Sequence, residues 1–194
     1  MHYSMKAVRS VVFCLAIVGA AIPAVAQTPT AELSGGYQFL RFSSEGEESE
    51  SLPGGWYADV AFNLNEMIGI VGEVGGNYKS DSLFGVTVDQ KVHEFMGGVR
   101  VSSRRNPMVV PFGQFLVGGA NYSASGGADI EDLTISISDS ETNFAIQAGG
   151  GVNVRLTDRV GARVGADYLR AFHEVSDTNI FRFVVGINVS FGMR

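Results

Sequence analysis

The sequence predicts an all-β fold: an eight-stranded antiparallel up-and-down transmembrane β-barrel, preceded by a cleavable signal peptide. Three observations carry that prediction. Residues 179–191 set Phe181, Phe183, Val185, Ile187, Val189 and Phe191 against Arg182, Val184, Gly186, Asn188 and Ser190, which is the alternation of a strand and not of a helix. Further segments with the same alternation recur along the chain, separated by turn chemistry. The N-terminus has a basic start at Lys6 and Arg9, an apolar run over 11–22 and the small-residue site Ala24-Val25-Ala26, the three parts of a secretory signal.

The apolar run is shorter than the ~20 residues that a membrane-spanning helix needs, so residues 1–26 are expected to be a signal peptide. Residues 27–31 follow as a short linker, and 32–194 form the barrel domain. Cys14, the one cysteine of the chain, leaves with the signal, which excludes disulfides and thiol chemistry in the mature protein. The net charge of −6 becomes −8 without Lys6 and Arg9. That balance excludes nucleic acid as a partner, because phosphate binding needs clustered Lys and Arg.

The first strand covers about 32–42, with Leu33, Tyr37 and Phe39 opposite Ser34, Gly36 and Gln38. In the second, about 55–65, Trp56, Ala58, Val60, Phe62 and Leu64 oppose Tyr57, Asp59, Ala61, Asn63 and Asn65. A tight turn at Asn65-Glu66 leads to the third, where Ile68, Ile70, Gly72, Val74 and Tyr78 oppose Glu73 and Asn77. The fourth, about 88–101, sets Phe95, Val99 and Val101 against Glu94, Met96 and Arg100, and a basic turn follows over 102–107. The fifth, 108–122, is apolar on both faces; Gln114 is its best inward candidate. In the sixth, Phe144, Ile146, Ala148, Val152, Val154 and Leu156 oppose Asn143, Gln147, Asn153 and Arg155. After Thr157-Asp158 the seventh sets Val160, Ala162, Val164, Ala166 and Tyr168 against Arg163 and Asp167. The eighth is the segment over 179–191.

Connection lengths alternate. Those at 65–66, 102–107 and 157–158 are short; those at 43–54, 79–87, 123–142 and 171–178 are longer. Short periplasmic turns and long external loops are the layout of a bacterial outer-membrane barrel, with both termini in the periplasm.

A soluble barrel also alternates, but with its apolar side inward. Here the other face carries Asp59, Glu73, Glu94, Arg100, Arg163, Asp167 and Arg182 among small residues. An eight-stranded barrel has room inside for little more than its own side chains, which suits small residues and a few long charged ones. Both signs are present, as buried charge requires, and these seven residues are predicted to form a lumenal charge network. Asp167 and Arg182 lie equally far from the middle of the last loop, so hairpin pairing sets them side by side. Tyr37, Phe39, Trp56, Tyr78, Phe144, Tyr168 and Phe181 fall near the long-loop ends, where an interfacial girdle belongs.

On these residues the chain resembles the small outer-membrane β-barrel family of the OmpA/OmpX type, over 32–194. The last strand, Val185-Gly186-Ile187-Asn188-Val189-Ser190-Phe191, resembles the terminal signal read by the barrel-assembly machinery, with Phe191 as its aromatic. Gly192-Met193-Arg194 follow that aromatic, whereas many members end on it. No appended peptidoglycan-binding domain is expected.

Some barrels of this size modify lipid A, and two histidines remain in the mature chain as candidate catalytic groups. His93 has lipid-facing parity near a loop end. His173, with Glu174 and Ser176, lies in the last external loop, and three neighbours in a loop do not make a nucleophile–base–acid geometry. No catalytic, cofactor or metal site is expected. The acidic stretches Glu45, Glu47, Glu48, Glu50 and Asp129, Glu131, Asp132, Asp139, Glu141 read as solvated loop surface, with weak divalent-cation binding beside lipopolysaccharide phosphates as the functional alternative. The expected function is that of a non-enzymatic barrel with an envelope-structural or surface-contact role. Its expected partners are outer-membrane lipid, lipopolysaccharide, the assembly machinery and extracellular surfaces met through the acidic loops. The alternatives are a barrel that binds or passes a small hydrophobic molecule, a lipid A-modifying enzyme and a secreted soluble barrel. An apolar lumen would favour the small-hydrophobe barrel, and the polar face speaks against it.

Overall fold

The computed structural model describes residues 28–43, 51–83, 86–130, 133–172 and 178–193. Eight strands follow in order: β1 (Pro29–Ser43), β2 (Ser51–Asn63), β3 (Ile68–Leu83), β4 (Val86–Ser102), β5 (Val109–Ile130), β6 (Leu133–Arg155), β7 (Val160–Phe172) and β8 (Thr178–Met193). Each pairs antiparallel with its chain neighbour, and β8 pairs with β1 to close the barrel. Closure is what a strand-built membrane span requires, because backbone N–H and C=O groups have no other partner in hydrocarbon.

The inward and outward faces follow the parity of the sequence. Trp56, Phe62 and Phe183 are exposed by 43%, 56% and 51%, while Arg100, Arg163 and Arg182 are each 1% exposed. That inversion excludes a soluble barrel. On β8 the outward residues from Phe181 to Phe191 cover about 25 Å along the axis at ordinary strand rise and tilt, the height of an outer-membrane apolar band. The fifth strand resolves as well: Phe112, Gln114 and Leu116 are buried, and Phe115 and Val117 face outward.

The short turns are built by local polar groups. Asn65 Oδ1 accepts from the Met67 and Ile68 amides at 2.8 and 2.9 Å, and Thr157 Oγ1 accepts from the Val160 amide at 3.0 Å. Both are side-chain imitations of a backbone turn. Asn65 therefore ends in a turn and not on the inward face of β2. At the β1–β8 seam Gly36 faces Gly186. A Cβ on Gly186 would collide with the Gly35 carbonyl oxygen and lie 2.9 Å from the Gly36 Cα, so this closure demands glycine.

The structure moves several boundaries, and residues 51–54, expected in the first long connection, open β2. Residues 29–31, expected in the linker, belong to β1, whose start is tied to the chain end by Thr30 Oγ1 donating to the Gly192 carbonyl at 2.8 Å. The connections at 79–87 and 123–142 are largely strand: β3 and β4 pair up to Leu83 and Val86, and β5 and β6 up to Ile130 and Leu133. Polar composition read as loop is the reason for the difference, since a hairpin standing above the bilayer needs no apolar face. The β2–β3 ladder ends at Tyr78 and the β6–β7 ladder at Phe144. β3 through β6 thus rise as a four-stranded sheet whose outer strands, among the described residues, have one backbone edge without a ladder partner. Residues 1–26, expected to be the signal, lie outside the described residues.

Candidate functional site

Cross-strand register decides which lumenal side chains meet. Asp59 on β2 receives Arg100 Nη1 from β4 at 3.1 Å, and Nη1 of Arg163 from β7 as a second ion pair. The Phe112 ring lies between the two guanidiniums, 4.8 and 4.7 Å from their Cζ atoms, so cation–π attraction supplements the shared carboxylate. Arg163 Nε also donates to Asn153 at 2.8 Å.

Arg182 organises the other half. It donates from Nε and Nη2 to Asp167, its cross-strand partner, at 3.1 and 2.8 Å. Its Nη1 lies 2.7 Å from Glu73, 3.7 Å from Glu94 and 3.2 Å from Gln38 Oε1. Gln114 joins the halves: its Oε1 accepts from Arg100 at 3.0 and 2.7 Å, and its Nε2 donates to Asp167 at 3.2 Å. Asp59, Glu73, Glu94, Arg100, Arg163, Asp167 and Arg182 therefore occupy one connected, buried cluster. Its four carboxylates surround three guanidiniums, and each arginine holds planar, charge-assisted bonds that a lysine could not reproduce.

Two features of the lumen are not in the sequence reading. Arg104, from the turn after β4, folds beneath the barrel and donates to Glu32 at 3.1 Å, Asn63 at 3.1 Å and the Glu66 carbonyl at 2.8 Å, closing the periplasmic end. Above the charges stands a mainly apolar layer, with Asn77 as its polar member, accepting from Gln38 at 2.6 Å and donating to the Leu52 carbonyl at 2.9 Å. One step extracellular of Gln38, Glu94, Asp167 and Arg182 stand Leu40, Val92, Leu169 and Ile180, all buried, with Leu52 and Ala171 beside them. The inward face, expected to hold small residues and a few long charged ones, thus carries a charged middle under a mainly apolar cap. The signal was present: Leu169 and Ile180 share the parity of Asp167 and Arg182.

The remaining predicted positions are dispersed. His93 sits on the outer face against Tyr78, with Nε2 3.3 Å from the hydroxyl. Phe191 is 50% exposed and pairs with Ala31. His173, Glu174 and Ser176, and Glu45, Glu47, Glu48, Glu50, Glu131 and Asp132, lie outside the described residues, while Asp129, Asp139 and Glu141 fall in strands. Among the described residues no cluster of His, Cys, Asp and Glu could hold a metal ion.

A family model described as outer membrane protein beta-barrel domain matches residues 12–193. The chain belongs to this family. It is a β-barrel protein of the bacterial outer membrane. Its fold is similar to that of Ail, the attachment invasion locus protein of Yersinia pestis, at TM-score 0.60 and 18% identity over 83% of this chain and 97% of that one. Neisserial surface protein A is similar at TM-score 0.57 and 13% identity, over 84% and 97% of the two chains. OprG from Pseudomonas aeruginosa is similar at TM-score 0.52 and 9% identity, over 85% and 97%. No curated protein matches the sequence.

Proposed function

We propose that this protein is a non-enzymatic barrel that reinforces the outer membrane and makes contacts at the cell surface. The observation that carries the reading is the filled interior. Arg104 with Glu32 at the base, Asp59 between Arg100 and Arg163, Arg182 among its carboxylates and the Leu40–Ile180 cap succeed one another along the axis. A solute would have to break buried ion pairs to pass, and breaking one costs about 3–5 kcal/mol. Planar-bilayer recordings of the refolded barrel should show no stable, large conductance; recordings that do show it refute the structural role. Lipid A mass spectra should be identical with and without expression, and a new modified species would refute the non-enzymatic reading.

The surface-contact half rests on the sheet formed by β3 to β6. Beyond the β2–β3 and β6–β7 ladders, β3 and β6 each have, among the described residues, one edge without a ladder partner, and an edge of that kind accepts an extended polypeptide as an added strand. The apolar cap offers some support for a barrel that binds a small hydrophobic molecule, but the side chains of the cap are packed against one another, which favours the filled barrel.

A further inference from the structure

The lipid-facing surface of β2, β3 and β4 carries an arrangement that neither the filled lumen nor the raised sheet uses. At the extracellular end of the apolar band, Trp56 Nε1 lies 3.4 Å from the Tyr78 hydroxyl, which lies 3.3 Å from His93 Nε2. The Tyr78 and His93 rings meet edge to face at 5.7 Å. The three side chains close over Gly76, where an added Cβ would stand 3.1 Å from Trp56 Nε1, 3.1 Å from the Tyr78 hydroxyl and 3.3 Å from His93 Cδ2. Lys91 is the cross-strand neighbour of Tyr78 and is exposed. Asp89, the next residue of this face away from the membrane, accepts from Ser80.

The chemistry of this group is that of an anion seat. The Tyr78 hydroxyl takes the indole N–H and shares one proton with His93. With the Nε2–H tautomer the Tyr78 hydroxyl keeps its proton to donate elsewhere, and with the Nδ1–H tautomer the imidazole keeps its Nδ1–H, so the pair retains one donor in either case. The Lys91 ammonium adds a full positive charge at headgroup depth, where aromatic and cationic side chains meet lipid phosphates.

A second observation lies directly below. Two residues toward the periplasm from Trp56 and His93 stand Ala58 and Phe95, and with Leu33, Val60, Gly72 and Val74 they line a shallow apolar groove of about 560 Å³. Gly72 opens its floor: an added Cβ there would meet nothing nearer than Val60 Cγ1 at 3.9 Å. A phosphate seat continuous with an apolar furrow on the membrane side matches an amphiphile with a phosphate head and an acyl tail.

We propose that this surface holds one lipid A unit of lipopolysaccharide, its phosphate on Lys91, His93 and Tyr78 and one acyl chain in the groove over Gly72. Trp56, the single tryptophan of the chain, stands at the junction and reports on it directly. The test is a titration of bisphosphorylated lipid A into the refolded full barrel in detergent, followed by Trp56 emission. Dephosphorylated lipid A and phosphatidylglycerol are titrated in parallel. Lipid A should bind about tenfold more tightly than its dephosphorylated form, the worth of one charge-assisted hydrogen bond, and more tightly than phosphatidylglycerol. K91Q/H93Q should remove the preference for phosphate, and G72F should weaken both lipid A forms alike. Equal affinity for the phosphorylated and dephosphorylated forms in the unmutated barrel overturns the proposal, as does tighter binding of phosphatidylglycerol. Bilayer conductance and lipid A modification bear on the other reading and leave this one untouched.

Discussion

Replacing Asp59 with Asn removes one charge from the middle of the lumen while keeping the shape of the side chain. Asp59 is 2% exposed and is the carboxylate for both Arg100 and Arg163. Loss of one partner from a buried ion pair costs about 3–5 kcal/mol, because the other charge stays buried without compensation. Here two guanidiniums are left facing each other across Phe112, which argues for the upper part of that range. Against it, Arg100 keeps both bonds to Gln114 and Arg163 keeps Asn153. We expect D59N to destabilise the barrel by about 4 kcal/mol. The assay is urea unfolding of the refolded barrel in short-chain phospholipid bilayers, followed by Trp56 emission and by the mobility difference between folded and unfolded forms on gels. Asp158→Asn, on an exposed turn, should stay within about 0.5 kcal/mol of the parent. Because the pair is shared, D59N and R163M should be less than additive by at least about 1 kcal/mol. A D59N barrel within about 1 kcal/mol of the parent would refute the assignment of the central charges as the element that fastens the lumen.

Three further outcomes follow from the same structure. Gly186→Val should leave most of the chain at the unfolded gel position, since overpacking against the backbone at Gly35 and Gly36 costs about 1–3 kcal/mol or more; Gly72→Leu, on open lipid-facing surface, should fold like the parent. Arg104→Ala should cost about 1–3 kcal/mol in the urea assay by stranding the Glu32 carboxylate, with bilayer conductance still absent because the Asp59 layer remains closed. Phe191→Ala should slow insertion by reconstituted assembly machinery while leaving the unfolding midpoint of the folded barrel nearly unchanged.

Strand number, faces and closure were legible because lipid imposes a stricter alternation than water does. An outward Asp or Arg in the band is expensive, so Asp59, Glu73, Arg100, Arg163, Asp167 and Arg182 had one face available to them. Legibility fails where that constraint stops. β5 beyond Tyr122 and β6 before Asn143 are strands of mostly small and polar residues, where polar strand and polar loop have the same composition. Arg104 escaped notice because a turn residue has no parity to read, and its reach to Glu32 depends on barrel geometry. Phe112 shares parity with Gln114, yet its apolar character on a strand apolar on both faces hid its position between Arg100 and Arg163. The Trp56–Tyr78–His93 group was visible as an aromatic girdle; the bare Gly76 beneath it gains meaning once the register of β2, β3 and β4 is known.

The hairpin of β5 and β6 has a practical consequence. From Asn121 to Ile130 it climbs about 20–25 Å at ordinary strand rise and tilt, clear of the ring of strands that hold the protein in place. A foreign peptide spliced between Ile130 and Leu133 would ride at the summit of a ladder hydrogen-bonded along its whole length. Antibodies could reach it there without touching the wall that faces lipid, which makes the molecule a mast for epitope display on living cells.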